Sequence, residues 1–187
     1  MSSKKCFFAA LLVLASASFF TTESWAQSLS QYLVLNRVAY YKVRVHPEKV
    51  ETANKGLKIN LYILGGRIEG IIKGEFVQEK NIIVDGSSTI NGDQALILPQ
   101  GIGFMNTTSE IIADDGTIFY LRYTGIFQLK QNPPTYPYVR LLASMNISTP
   151  TNDSDLNYSM VTQRNYLGVG ELNLLTYEVY YDLYPVP

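Results

Sequence analysis

The feature that most constrains this chain is a period of two. From Tyr32 onward, runs of β-branched and aromatic residues follow one another, and no stretch holds a helical repeat long enough to define a helix. Tyr32 to Val45 ends with Tyr41, Val43 and Val45 alternating against Lys42 and Arg44. Leu57 to Leu64 alternates in the same way before Gly65-Gly66, and Thr117 to Phe127 follows an Asp114-Asp115-Gly116 turn. Asp-Gly between two alternating runs is a hairpin signal, because both positions tolerate positive φ. Tyr166 to Tyr184 reads as two more strands with a turn near Leu172-Asn173. Glycines at 66, 70 and 74 mark kinks where a curved wall bends. The pattern predicts an all-β fold, a single antiparallel β-barrel of about nine or ten strands.

Residues 1–26 stand apart. Lys4 and Lys5 precede an apolar run from Cys6 to Phe20, and a polar stretch then ends in Ser24-Trp25-Ala26, with small residues where a signal peptidase reads. This predicts a secretory signal peptide over 1–26 and a barrel domain over 27–187. The protein is then secreted, extracellular or, in a bacterium, periplasmic. The apolar run is shorter than the roughly 20 residues that span a bilayer, so stable membrane insertion is not expected.

The only cysteine lies in that leader, so the mature chain forms no disulfide, unusually for a small secreted domain. Packing and a closed hydrogen-bond network must hold it together. Removing Lys4, Lys5 and Glu23 leaves 13 basic and 15 acidic side chains, scattered without runs of like sign. That balance excludes nucleic acid as a partner. Gln131 to Pro137, with three prolines, and the polar Thr149 to Asp155 read as loops.

Several motifs resemble the DUF3237 (UPF0311) family of small β-barrel proteins. Gly65-Gly-Arg-Ile-Glu-Gly70 with Gly74-Glu-Phe-Val77 is similar to that family's Gly-Gly-Arg-Phe-Glu-Gly … Gly-Glu-Val stretch. Asp93 to Gly125 follows the family pattern without gaps, and Tyr158 to Thr162 with Leu167-Gly-Val-Gly170 resembles its closing segment. The resemblance covers roughly residues 32–184 and implies an antiparallel barrel, with no settled activity. This chain departs from the pattern in having Gln94 where Trp is frequent, Thr108 where Arg is usual, no Arg in Met145 to Pro150, and an insertion over Glu79 to Asn91.

Candidate site residues follow from the alternation. If Arg67 to Val77 is one strand, Arg67, Glu69, Lys73 and Glu75 share a face that is either solvated or the lining of a polar interior, where Arg67 or Glu75 would hold a ligand. Arg122 shares a largely apolar face with Ile118 and Tyr120, and needs an acidic partner or a ligand carboxylate. Asp93, Glu75 and Tyr120 are the candidate acids or bases. Fourteen tyrosines, among them Tyr40, Tyr41, Tyr120, Tyr123, Tyr158 and Tyr166, supply apolar walls with hydroxyls, or simply fill the core. The one histidine, His46, and the absence of mature cysteine argue against a catalytic triad or a zinc or copper site. No metal and no cofactor is expected. Glycosylation sequons occur at Asn106, Asn146, Asn152 and Asn157.

Three readings remain open at this stage. The first is a secreted barrel binding a small apolar or aromatic molecule. The second is a small cofactor-free enzyme (an isomerase, cyclase or lactone hydrolase). The third is a filled barrel that displays glycosylated loops.

Overall fold

The computed structural model describes residues 36–53, 56–129, 138–150 and 158–186. The leader over 1–26, the proline-rich loop, and the sequons at Asn152 and Asn157 lie outside them. Among the described residues eleven strands run in chain order: β1 (Ala39–Ala53), β2 (Gly56–Gly70), β3 (Gly74–Phe76), β4 (Asn81–Val84), β5 (Ser87–Ile90), β6 (Gly92–Ile97), β7 (Ile102–Ala113), β8 (Ile118–Gln128), β9 (Tyr138–Ser148), β10 (Asn165–Asn173) and β11 (Glu178–Pro185). A single helical turn, α1 (Ser159–Thr162), precedes β10.

Nine of the strands form one antiparallel sheet that closes through the β1–β11 pair. β3 and β6 share one place in it, since each pairs with both β2 and β7. The result is an eight-position up-and-down barrel, in which every position pairs with its neighbours in sequence. The remaining strands, β4 and β5, form a separate hairpin that interrupts the shared place.

The stagger of this barrel can be read from its register. A row of facing residues leaves β7 at Gly103 and passes through Phe127, Leu141, Gly170, Tyr181, Tyr41, Ile68 and Gly74. It returns to β7 at Ala113, ten residues on. With ~3.3 Å per residue and ~4.8 Å between strands, that stagger tilts the strands by about 40° and gives a backbone radius of about 8 Å. Side chains can nearly fill such an interior, and inward residues do so by pairing large with small. A Cβ on Gly170 would strike the Tyr181 ring, and one on Gly103 would strike the Phe127 ring.

The alternation anticipated in β1 holds, with Ala39, Tyr41, Val43 and Val45 buried and Lys42 and Arg44 exposed. Three expectations need correction. Gly65-Gly66 does not end a strand but continues β2 beyond a bulge at Leu64, and Gly66 at φ 153° lies against the β1 backbone with no room for a Cβ. Arg67 to Val77 is not one strand: β2 ends at Gly70 (φ 128°), and the chain reverses to start β3 at Gly74. The last turn occupies Leu174 to Tyr177, because the Asn173 side chain accepts from the Leu175 and Thr176 amides and holds the turn beyond itself.

The two ends of the barrel differ. At one end α1 buries Val161, the Tyr166 hydroxyl donates to the Val161 carbonyl at 2.9 Å, and the Tyr158 hydroxyl donates to Asp115 at 2.5 Å. Tyr158 also meets Phe119 edge-on, with ring centroids 4.8 Å apart. At the other end the inward residues Leu61, Phe127, Leu129, Leu172 and Leu174 are only partly buried.

Candidate functional site

An apolar barrel should carry no charge inside, yet Asp93 is inward-facing and 5 % exposed. It is the only ionisable carboxylate among the buried described residues. The alternation of β6 aims it inward with Ala95, while Gln94 points out. Its Oδ1 accepts two hydrogen bonds, from the Thr107 hydroxyl and from the Tyr123 hydroxyl at 2.6 Å. Both donors face it because Asp93, Thr107 and Tyr123 lie in one registered row across β6, β7 and β8.

Two further tyrosines complete the cluster. Tyr181 stacks obliquely on Tyr41 and Tyr123, with centroids 5.3 and 5.5 Å apart, and its hydroxyl reaches the Met105 sulfur at 3.5 Å. The Tyr41 hydroxyl is buried with no hydrogen-bond partner of normal geometry, and so is Ser109 Oγ, one step along the inward face of β7 from Thr107. Burial pushes the Asp93 carboxyl up from the usual carboxylate range, against the pull of its two hydroxyl donors. Burial pushes Tyr41, Tyr123 and Tyr181 well above the ordinary phenol value, and the charge of Asp93 adds to the shift in all three. A carboxyl and three phenols converging in a dry interior can bind a hydrogen-bonding ligand, or exchange a proton with one.

Of the six residues selected from the sequence, the structure gathers no two into this cluster; Asp93 alone belongs to it. Arg67 and Glu75 face each other on the outer wall 3.8 Å apart, and Arg67 also binds Glu69 at 2.5 Å and Asp114 at 2.8 Å. Arg122 lies on the outer face of β8 and pairs with Asp85 at 2.8 Å. Tyr120 is outward too, covered by the β4–β5 hairpin, and its hydroxyl donates to the Ile83 carbonyl at 3.0 Å. Tyr166 is inside, but at the closed end, where Val161 occupies its hydroxyl. Asn106 is exposed on β7, and Asn146 is half-buried on the outer face of β9.

Thr107, Ser109 and Tyr181 escaped the sequence reading. The signal for the first two was present, since the inward positions of β7 read Gly103, Met105, Thr107, Ser109, Ile111 and Ala113, with two hydroxyls in an apolar series. Among the described residues no three His, Cys, Asp or Glu side chains converge as metal ligands, and no helix is long and apolar enough to cross a membrane.

The profile of the family described as "Protein of unknown function (DUF3237)" matches residues 34–186. The chain belongs to the DUF3237 family. Comparison with the curated proteins yields no match. Among solved structures, a conserved protein of unknown function from Rhodopseudomonas palustris is similar, with a TM-score of 0.65 at 18 % identity over 81 % of this chain and 96 % of that one. A β-barrel-like protein from Acinetobacter baumannii has a TM-score of 0.62 at 20 % identity, covering 82 % and 95 %. A structure described as an enzyme from Penicillium herquei has a TM-score of 0.52 at 14 % identity, covering 80 % and 92 %. At these identities the likeness is one of fold alone.

Proposed function

We propose that this DUF3237 protein is a secreted barrel that binds a small apolar or aromatic molecule inside, at the Asp93 cluster. The observation that carries the reading is the unfavourable chemistry of that cluster. A buried carboxyl of raised pKa, beside two buried hydroxyls that make no hydrogen bond of normal geometry, costs stability that an apolar core of the same shape would not forfeit. A ligand offering hydrogen-bonding groups offsets that cost. Secretion rests on the pattern of residues 1–26, and an intact mass starting at Gln27 for the exported protein tests it.

Native mass spectrometry of the exported protein tests binding. The expected result is an excess of a few hundred daltons that leaves on unfolding. A bare polypeptide mass, both as purified and after incubation with an organic extract of the producing culture, overturns the reading.

A second reading, a cofactor-free isomerase, cyclase or lactone hydrolase, is favoured by one geometric fact. The Asp93 carboxyl sits 2.6 Å from the Tyr123 hydroxyl, so an acid tuned upward is next to a proton donor. The Penicillium herquei protein is an enzyme, and its resemblance to this chain supports only a common scaffold. Asp93→Asn separates the two readings: in an enzyme it abolishes turnover of the bound molecule while occupancy persists, and in a binding protein there is no turnover to lose.

A further inference from the structure

We infer that the ligand enters by the end opposite α1, displaces the side chains of Met105 and Met145, and is an uncharged flat molecule bearing a hydroxyl or carbonyl group. This rests on the binding reading above and specifies its entrance and its chemistry.

The entrance follows from the asymmetry of the barrel. One end is stopped by Val161 and held shut by the Tyr166 and Tyr158 hydrogen bonds. The other is rimmed by part-exposed apolar side chains, Phe127 and Leu172 among them. Between that rim and Asp93 lies one registered row across five strands: Ala95, Met105, Gly125, Ala143 and Gly168. Four of its five members are Ala or Gly, so the row is hollow at backbone level. What occupies it now is methionine. A Cβ on Gly125 would lie 2.8 Å from Met105 Cε, and one on Gly168 would collide with Met145 Cε and Sδ. Methionine is unbranched and adaptable, and its sulfur packs well on aromatic rings. These two side chains can therefore swing aside and then lie against a flat ligand.

The chemistry follows from what lies beneath the row. Asp93, Tyr123 and the Tyr41 hydroxyl, which makes no hydrogen bond of normal geometry, present hydrogen-bonding groups, and no buried described residue is cationic. A ligand carboxylate or phosphate would meet a buried carboxyl and find no counter-charge. A neutral phenol or hydroxy-carbonyl finds both donors and acceptors.

The test uses three probes of one shape: 1-naphthol, naphthalene and 1-naphthoate. Each is titrated against the mature protein labelled with ¹³C at the methionine methyls, three of which lie in the described chain, at 105, 145 and 160. Naphthol is expected to move the Met105 and Met145 signals and leave Met160, on α1 at the closed end and 69 % exposed, in place. Naphthalene should bind about tenfold more weakly for want of the hydrogen bond, and naphthoate should not bind. Ala143→Leu should abolish naphthol binding. Should it unfold, the smaller Ala95→Val, expected to weaken binding several-fold, serves instead. Naphthoate binding as tightly as naphthol, naphthol shifting only Met160, or naphthol shifting no methionine overturns the inference. If naphthol fails while native mass spectrometry still finds a molecule released on unfolding, the entrance and chemistry fall and the binding reading stands. A bare mass and three silent probes remove both.

Discussion

Replacing Asp93 by Asn asks whether the buried carboxyl titrates as its surroundings require. Both hydroxyl donors bind the same oxygen, Oδ1, so the Asn carbonyl can keep both bonds. The substitution therefore removes a charge without orphaning a partner. The sign follows from linkage. The folded carboxyl has a pKa above its unfolded value, so between the two values the folded state holds a proton that the unfolded state has released. The stabilising contribution is complete below the ordinary carboxylate value and is lost as pH rises through the raised one. One proton per molecule sets the slope, at most about 1.4 kcal/mol per pH unit, or roughly 3–5 °C in Tm for a domain this size. Glu110, raised by burial and by Glu79, adds a slope of the same sign. The readout is therefore the difference between wild type and variant. Urea unfolding at steps from about pH 4 to about pH 8 should show the variant gaining on the wild type with rising pH, and at least matching it near neutrality. Parallel curves, or a variant that no longer folds, would refute the reasoning.

Other perturbations read other parts of the wall. Gly170→Ala forces a methyl into the Tyr181 ring and the Tyr180 carbonyl, and should cost about 1–3 kcal/mol or more in urea unfolding. Asn91→Ala removes the donor that bridges the Val77 and Glu79 carbonyls at 2.7 and 2.9 Å, and should cost about 2–4 kcal/mol. The loss should come with faster amide exchange in the β4–β5 hairpin. Arg122→Ala breaks only an exposed ion pair with Asp85, so Tm should stay within about 2 °C and ligand occupancy should not change. Added thiol should leave Tm of the exported protein unmoved, since Cys6 is the only cysteine and belongs to the predicted leader.

The barrel was legible because its information is local. β1 and β7 alternate so regularly that each face can be read from a few residues. The hairpin inside Glu79 to Asn91 was passed over as an insertion, although Asp85 at φ 51° and Gly86 at φ 78° form the two-residue turn that Asp-Gly favours, because its second strand, Ser87–Ile90, is mostly polar. The site was less legible. An Arg on an apolar strand face suggests burial only while nothing else covers that face, and in β8 the hairpin does, supplying Asp85 to Arg122 and a carbonyl to Tyr120. Asp93 stands in a short strand whose facing residues, Thr107 and Tyr123, are 14 and 30 positions away. Their convergence depends on register, which alternation within single strands does not supply.

The order of the strands has a consequence for how such a chain tolerates rearrangement. Counting β3 and β6 as one position, every pairing in the wall joins neighbouring positions except the seam, where β1 meets β11 and the Val38 amide binds the Leu183 carbonyl at 3.0 Å. A seam that brings the ends of the wall side by side leaves the cycle with no obligatory starting point. A circular permutant with the seam bridged by a short linker and new termini cut at Asp85-Gly86 would keep every rung of the wall. It would make the β1–β11 pairing a local hairpin and move the slow, long-range closure to the β2–β6 and β3–β7 pairings.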